Sequence, residues 1–204
     1  MKLLSQIAEL EALYGTPAET SIAKETAFLT PQYRAMLEAS PFCALSTACP
    51  EGLDCTPRGD RPGELVRVQD DKTLLMPDRR GNNRIDSLRN ILRDPRVALM
   101  FLIPGNHNAL RINGRATITA DAAVLASFVV DGKAPRTVIV IQIEAVYFQC
   151  GRAIVRSQLW NPARFVAGGV LPTAGEILAE LSGGRVGGAE YDLKWPERAK
   201  GSLW

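Results

Sequence analysis

Short apolar runs broken by turn-forming clusters fill the middle of the chain, and helical spacing is confined to a few stretches. Residues 43–48 and 53–58 flank Pro50-Glu51-Gly52, the pattern of a β-hairpin. Residues 65–68 and 73–77 follow, separated by the polar turn Asp70-Asp71-Lys72. Residues 96–103 read as a buried strand, 110–119 alternate, and 137–150 form a long strand rich in Val and Ile. Helical spacing recurs at Ile7, Leu10 and Leu13, and again at Tyr33, Met36 and Leu37 behind Pro31. It returns at Ile85, Leu88, Ile91 and Leu92, where Pro95 ends it, then over 121–130 and around 172–181. Many strands, short helices and tight connections predict a mainly β chain: an antiparallel barrel with peripheral helices.

A chain of 204 residues with 46% hydrophobic content can bury a full core, which excludes a disordered or disulfide-stapled design. The predicted organisation is a helical extension over 1–40, a barrel over 41–162, and a carboxyl-terminal extension over 163–204 packed on it. No apolar run approaches the ~20 residues of a membrane span, and Glu9 and Glu11 interrupt the amino terminus too early for a signal peptide. Cys43, Cys49, Cys55 and Cys150 lack zinc-type spacing and His107 stands alone, so neither a metal site nor a His-dependent triad is expected. The cysteines fit small packed residues in a reducing cytoplasm.

Charge is uneven. Residues 58–115 hold 12 Lys+Arg, 11 of them Arg, against 7 acids, although the whole chain has 24 against 22. Aromatics are scarce in that block, which disfavours nucleic acid and leaves a small anion as the natural partner. Strand 73–77 runs into Asp78-Arg79-Arg80-Gly81-Asn82-Asn83-Arg84 and then a helix. Free backbone N–H groups at a helix start favour phosphate, and Arg79, Arg80 and Arg84 would add charged donors, with Asn82 and Asn83 neutral ones. The plainer reading is a surface helix whose arginines pair with Asp78, Asp86 and Asp94. Neither a Walker loop nor a Gly-x-Gly-x-x-Gly turn is present. Arg58 ends the hairpin, while Arg111 shares a strand side with Asn113 and Arg115, opposite Ile112. An arginine turned into a barrel needs a ligand or an ion pair.

Several motifs occur together in order: Thr56-Pro57-Arg58-Gly59-Asp60-x-Pro62-Gly63, Met76-Pro77-Asp78-Arg79-x-Gly81-Asn82-x-Arg84 and Leu110-Arg111-x-Asn113-Gly114-Arg115-Ala116. Tyr147-Phe148-Gln149-Cys150-Gly151-Arg152-Ala153 and Arg156-Ser157-x-Leu159-Trp160 follow. Over roughly residues 40–162 this set resembles the flavin-nucleotide-binding branch of the pyridoxamine 5′-phosphate oxidase-like superfamily. The resemblance implies a split β-barrel homodimer holding FMN in clefts at the subunit interface. It places Arg58 and Arg84 on the FMN phosphate, with Arg79 and Asn82 nearby and Asn83 where a basic residue is usual. It places the backbone of Met76, Pro77 and Asp78 along the flavin ring, and Arg111 at the ring's polar edge. Arg156 and Trp160 would reach the flavin of the other subunit.

FMN supplies redox chemistry itself, so no general base or nucleophile need appear in the sequence. The implied function is an FMN-dependent oxidoreductase acting on a small molecule. The alternative is a non-catalytic flavin carrier or sensor. Pyridoxamine 5′-phosphate oxidase activity proper is less expected, because the family's Arg-x-Arg-Leu-type ending is replaced by Lys200-Gly201-Ser202-Leu203-Trp204.

Overall fold

A computed structural model describes Met1 and residues 3–203; Lys2 and Trp204 lie outside the described residues. Three helices open the chain: α1 (Ile7–Tyr14), α2 (Glu19–Ile22) and α3 (Pro31–Glu38). Pro31 begins α3 where its missing N–H costs nothing, and Thr30 Oγ1 accepts from Tyr33 N. Tyr33 and Leu37 of α3 enter the core as their spacing predicts. Helix α1 differs from expectation. None of its residues is buried, and Ile7, Leu10 and Leu13 face solvent.

The hairpin is present as β1 (Phe42–Cys49) and β2 (Gly52–Gly59), paired in register from Phe42–Gly59 to Cys49–Gly52. Strand β3 is only Arg67–Val68, because Leu65 and Val66 are buried by a loop instead. Strand β4 (Thr73–Pro77) is buried throughout. Helix α4 (Asp86–Arg93) leads to β5 (Arg96–Leu102), β6 (Ala109–Thr119), α5 (Ala122–Ala126) and β7 (Val138–Gln149). The strands form one antiparallel sheet in the order β2-β1-β5-β6-β7-β4-β3. Its inner face gathers Leu45, Leu74, Met76, Leu99, Phe101, Leu110, Ile112, Ile139 and Ile141 into one core. This is the mainly β, antiparallel architecture with peripheral helices that the pattern of strands predicts.

The buried face of α4 matches only in part the one its apolar spacing marks: Ile91 enters the core and Leu88 packs against it. Ile85 sits at the N-cap in a left-handed conformation (φ 54°) and Leu92 is exposed, whereas Ser87, Asn90 and Ile91 are buried. Hydrogen bonds decide the rotation: Asn90 Nδ2 donates to Thr47 Oγ1 at 3.1 Å, and Ser87 Oγ to Asp54 Oδ2 at 3.3 Å. A buried amide needs a partner, and the hairpin supplies it. The helix ends in extended Asp94, as expected before Pro95.

Beyond β7, α6 (Arg152–Ser157) and α7 (Ala174–Leu181) are followed by two short helices that spacing does not reveal, α8 (Gly188–Leu193) and α9 (Trp195–Lys200). Asp192 of α8 ties α7 down, accepting from Thr173 Oγ1 at 2.6 Å and Gly175 N at 2.9 Å. No described helix is long and apolar enough to cross a membrane.

Candidate functional site

The sheet rolls so that β2, at one edge, faces the end of β4, near the other. Arg58 Nη1 donates to Asp78 Oδ1 at 2.5 Å, and Arg79 Nε to Asp60 Oδ2 at 2.8 Å. These pairs sit at the floor of a cleft of about 1170 Å³ bounded by β2, the 78–88 segment, the 133–137 loop and α9. Strand β3 pairs only with Leu74 and Leu75, so the backbone edge of Met76 and Pro77 has no β3 partner where these buried residues line the cleft.

Eight of the eleven residues that the resemblance places around the flavin line this cleft, Arg58, Met76, Pro77, Asp78, Arg79, Asn82, Asn83 and Arg84, and Arg80 of the basic loop joins them. Their surroundings differ. Arg79 is lodged in structure, with Nη1 also donating to Phe128 O at 2.7 Å. Arg58 is largely covered, and its Nε is buried without a hydrogen-bond partner. Arg84 stands at the rim, 76% exposed, against Asp86 at 2.8 Å. Asn82 Oδ1 accepts from Arg84 N at 3.0 Å and fixes the loop's turn. Asn83 takes φ 60°, a conformation Asn tolerates, whereas Ile85 at φ 54° is an unusual place for a β-branched side chain. Such backbone persists where neighbouring contacts over-determine it. Both readings of the basic loop therefore have substance. Arg84 pairs with Asp86 as the surface-helix reading requires, whereas Asp78 pairs with Arg58 of β2 and Asp94 with Arg96, and the loop faces a cavity.

Arg111 requires a correction. It points away from the core, with Ile112 fully buried on the other side, and its guanidinium lies 5.0 Å from the Tyr147 ring centroid. Strand alternation leaves the outward face to it, so no ligand is needed inside the barrel to satisfy its charge. Arg156 lies exposed on α6, and Trp160 Nε1 donates to Asn106 O at 2.7 Å. None of these three lines the cleft of its own chain.

Sequence reasoning missed part of the wall. Lys133, Arg136 and Thr137 line the cleft, as do Trp195 and Leu203. A basic loop just ahead of a strand was the available signal for the first group, the mirror of the basic loop just after β4. In all, the cleft carries six bases (Arg58, Arg79, Arg80, Arg84, Lys133, Arg136) and four carboxylates (Asp54, Asp60, Asp78, Asp86). Beneath it, burial pushes the Cys43 thiol up to about 12, against the opposing charge of its cross-strand neighbour Arg58.

Residues 29–150, more than half of the chain, match the sequence profile of pyridoxamine 5′-phosphate oxidase. The chain belongs to the pyridoxamine 5′-phosphate oxidase family. The match runs from the start of α3 to the end of β7 and so includes β2, β4 and the 78–84 loop. Among solved structures, HupZ of Group A Streptococcus is 16% identical, covering 60% of this chain and 94% of its own, with a TM-score of 0.49. A pyridoxamine 5′-phosphate oxidase candidate from Lactobacillus delbrueckii is 22% identical, over 60% of this chain and 95% of that one (TM-score 0.49). A Clostridium acetobutylicum protein related to general stress protein 26 is 14% identical, over 58% and 86% (TM-score 0.46). No match was found among curated proteins. Members of the pyridoxamine 5′-phosphate oxidase family commonly bind flavin.

Proposed function

We propose that the cleft holds FMN and that the protein is an FMN-dependent oxidoreductase acting on a small molecule. The observation that carries the reading is the cleft's surplus of two bases together with the buried, unpartnered Nε of Arg58. A guanidinium N–H buried without an acceptor is costly, and a dianionic phosphate would answer both the charge and the missing bond. The lining fits the rest of the group. Partly exposed Leu88 and the buried Leu65, Met76 and Pro77 behind the wall make the side beside the polar arginine end apolar.

In this reading Arg58 and Arg84 grip the phosphate, Asn82 and Asn83 shape the loop around it, and the open edge of Met76–Asp78 flanks the ring. Arg79 holds the loop to β2 through Asp60 and thereby positions Arg58 and Asp78. FMN, when bound, supplies the hydride and electron chemistry. The chain's own part is to bind, orient and exclude water, for which Trp195 and Leu203 supply apolar cover. The assembly is a homodimer in which Arg156 and Trp160 act on the partner's cleft. Four free cysteines suit a cytoplasmic setting.

Anaerobic addition of NADH, NADPH and a set of small reductants to the flavin-loaded protein tests the enzymatic reading. At least one is expected to bleach the flavin rapidly, with an added oxidant restoring it. Flavin that no donor reduces at a useful rate overturns the oxidoreductase and leaves a carrier or sensor.

A further inference from the structure

The loop between α5 and β7 brings to the cleft a second set of anion-binding groups. Gly132 turns the chain with φ 74°, Pro135 is buried, and Lys133, Arg136 and Thr137 line the cavity. Two contacts hold this loop beside the basic loop after β4. Asp78 N donates to Thr137 O at 2.9 Å, and Arg136 Nη1 donates to Asn83 Oδ1 at 3.3 Å.

The carboxylates nearby are already engaged. Asp78 accepts from Arg58, Asp60 from Arg79, Asp86 from Arg84, and Asp54 from Ser87. Among the described residues Arg80, Lys133 and Arg136 form no ion pair, so two of the three cleft bases without a carboxylate come from this loop. Thr137 adds a second sign of an absent partner. Its Oγ1 is buried without a hydrogen bond, on a residue lining the same cavity that holds the unpartnered Nε of Arg58. Unsatisfied buried donors are rare in folded proteins, and two on one cleft mark a place where a ligand supplies acceptors. A guanidinium, an ammonium and a hydroxyl are the donor set of a phosphoryl site.

We infer that Arg136 and Thr137 are phosphate ligands, with Lys133 adding charge, so that the phosphate is held between two loops rather than on one. The inference rests on the flavin reading above. It makes the loop before β7 a determinant of mononucleotide over unphosphorylated flavin.

The test titrates the full-length protein, freed of bound flavin by dialysis, with FMN and with riboflavin, following flavin fluorescence. Wild type is expected to prefer FMN strongly. Arg136→Ala should weaken FMN about tenfold or more and Thr137→Val about threefold, with riboflavin affinity unchanged. Thr137→Ser, which keeps the hydroxyl, should retain FMN affinity, and Arg136→Lys should recover part of it. FMN affinity unchanged in Arg136→Ala and Thr137→Val overturns the inference while leaving the flavin reading standing. Equal losses for FMN and riboflavin overturn it too, because the loop then only shapes the cleft. Wild-type protein that takes up neither flavin overturns the flavin reading and this assignment with it.

Discussion

Arg58 and Asp78 meet at 2.5 Å although four strands separate theirs in the sheet. Beside them Arg79 meets Asp60 at 2.8 Å, with the charges reversed: β2 and the residue after it supply Arg58 and Asp60, and the segment ending β4 supplies Asp78 and Arg79. This reciprocal pair closes the seam of the barrel and sets the floor of the cleft. The same two contacts thus act on stability and on ligand geometry.

The Asp60 side chain is 1% exposed and accepts from Arg79 Nε at 2.8 Å, so removing its charge weakens a buried charged hydrogen bond in the seam. Asp60→Asn is expected to destabilise the protein by about 1.5–3 kcal/mol, the worth of a hydrogen bond to a charged group. Urea unfolding reads the change as a lower midpoint. A midpoint equal to wild type would show that the seam does not depend on this pair.

Arg58 and Arg84 separate stability from binding. Arg84→Ala should leave stability within about 0.5 kcal/mol, since an exposed pair contributes little. Both Arg84→Ala and Arg58→Ala should weaken FMN by ~1.5–3 kcal/mol, the worth of a charged hydrogen bond. Isothermal titration checks this, and unchanged affinity in both variants would put the phosphate elsewhere.

Gly114 lies at a register irregularity between β6 and β7, where an added Cβ would overlap the Gln142 carbonyl oxygen. Gly114→Ala should cost roughly 1–3 kcal/mol through forced backbone shifts. Thermal denaturation would show it, and a variant as stable as wild type would mean that the strands separate freely at this point.

Cys43 gives the stability an alkaline limb. Its folded pKa of about 12 lies above the ordinary thiol value of 9.0, so the unfolded chain binds fewer protons in between. The contribution is whole below pH 9.0, falls as pH rises from there, and is exhausted near pH 12. Cys43→Ala should show a shallower loss of stability over that range in denaturant titrations. The opposite trend holds for Cys150, whose exposed thiol is lowered first by a backbone hydrogen bond from Arg152. Timed alkylation at mildly alkaline pH should modify Cys150 and spare Cys43 in the folded state. Early modification of Cys43 would contradict its burial.

Much of the fold was legible because strands announce themselves through alternation and turns: the β1–β2 hairpin, buried β4 and long β7 follow from local pattern. The rotation of α4 was not, since Asn90 turns inward for a hydrogen bond to Thr47 that lies 43 positions away in sequence. Arg111 misled for the same reason. Alternation separates it from Ile112, but which face is inner depends on the rolling of the whole sheet. At the cleft, motif order pointed to the 78–84 loop, whereas Arg136 and Thr137 become neighbours of that loop only through the β4–β7 pairing. The apolar face of α1 was readable as a helix, and no local pattern tells that it would stay uncovered within its own chain.

The central claim is that this cleft is an FMN site. The most direct measurement is the absorption spectrum of the purified protein followed by identification, by mass, of what denaturation releases. The account predicts yellow protein, or protein that turns yellow on adding FMN, releasing FMN at about one per chain. Colourless protein that takes up no added FMN would contradict it.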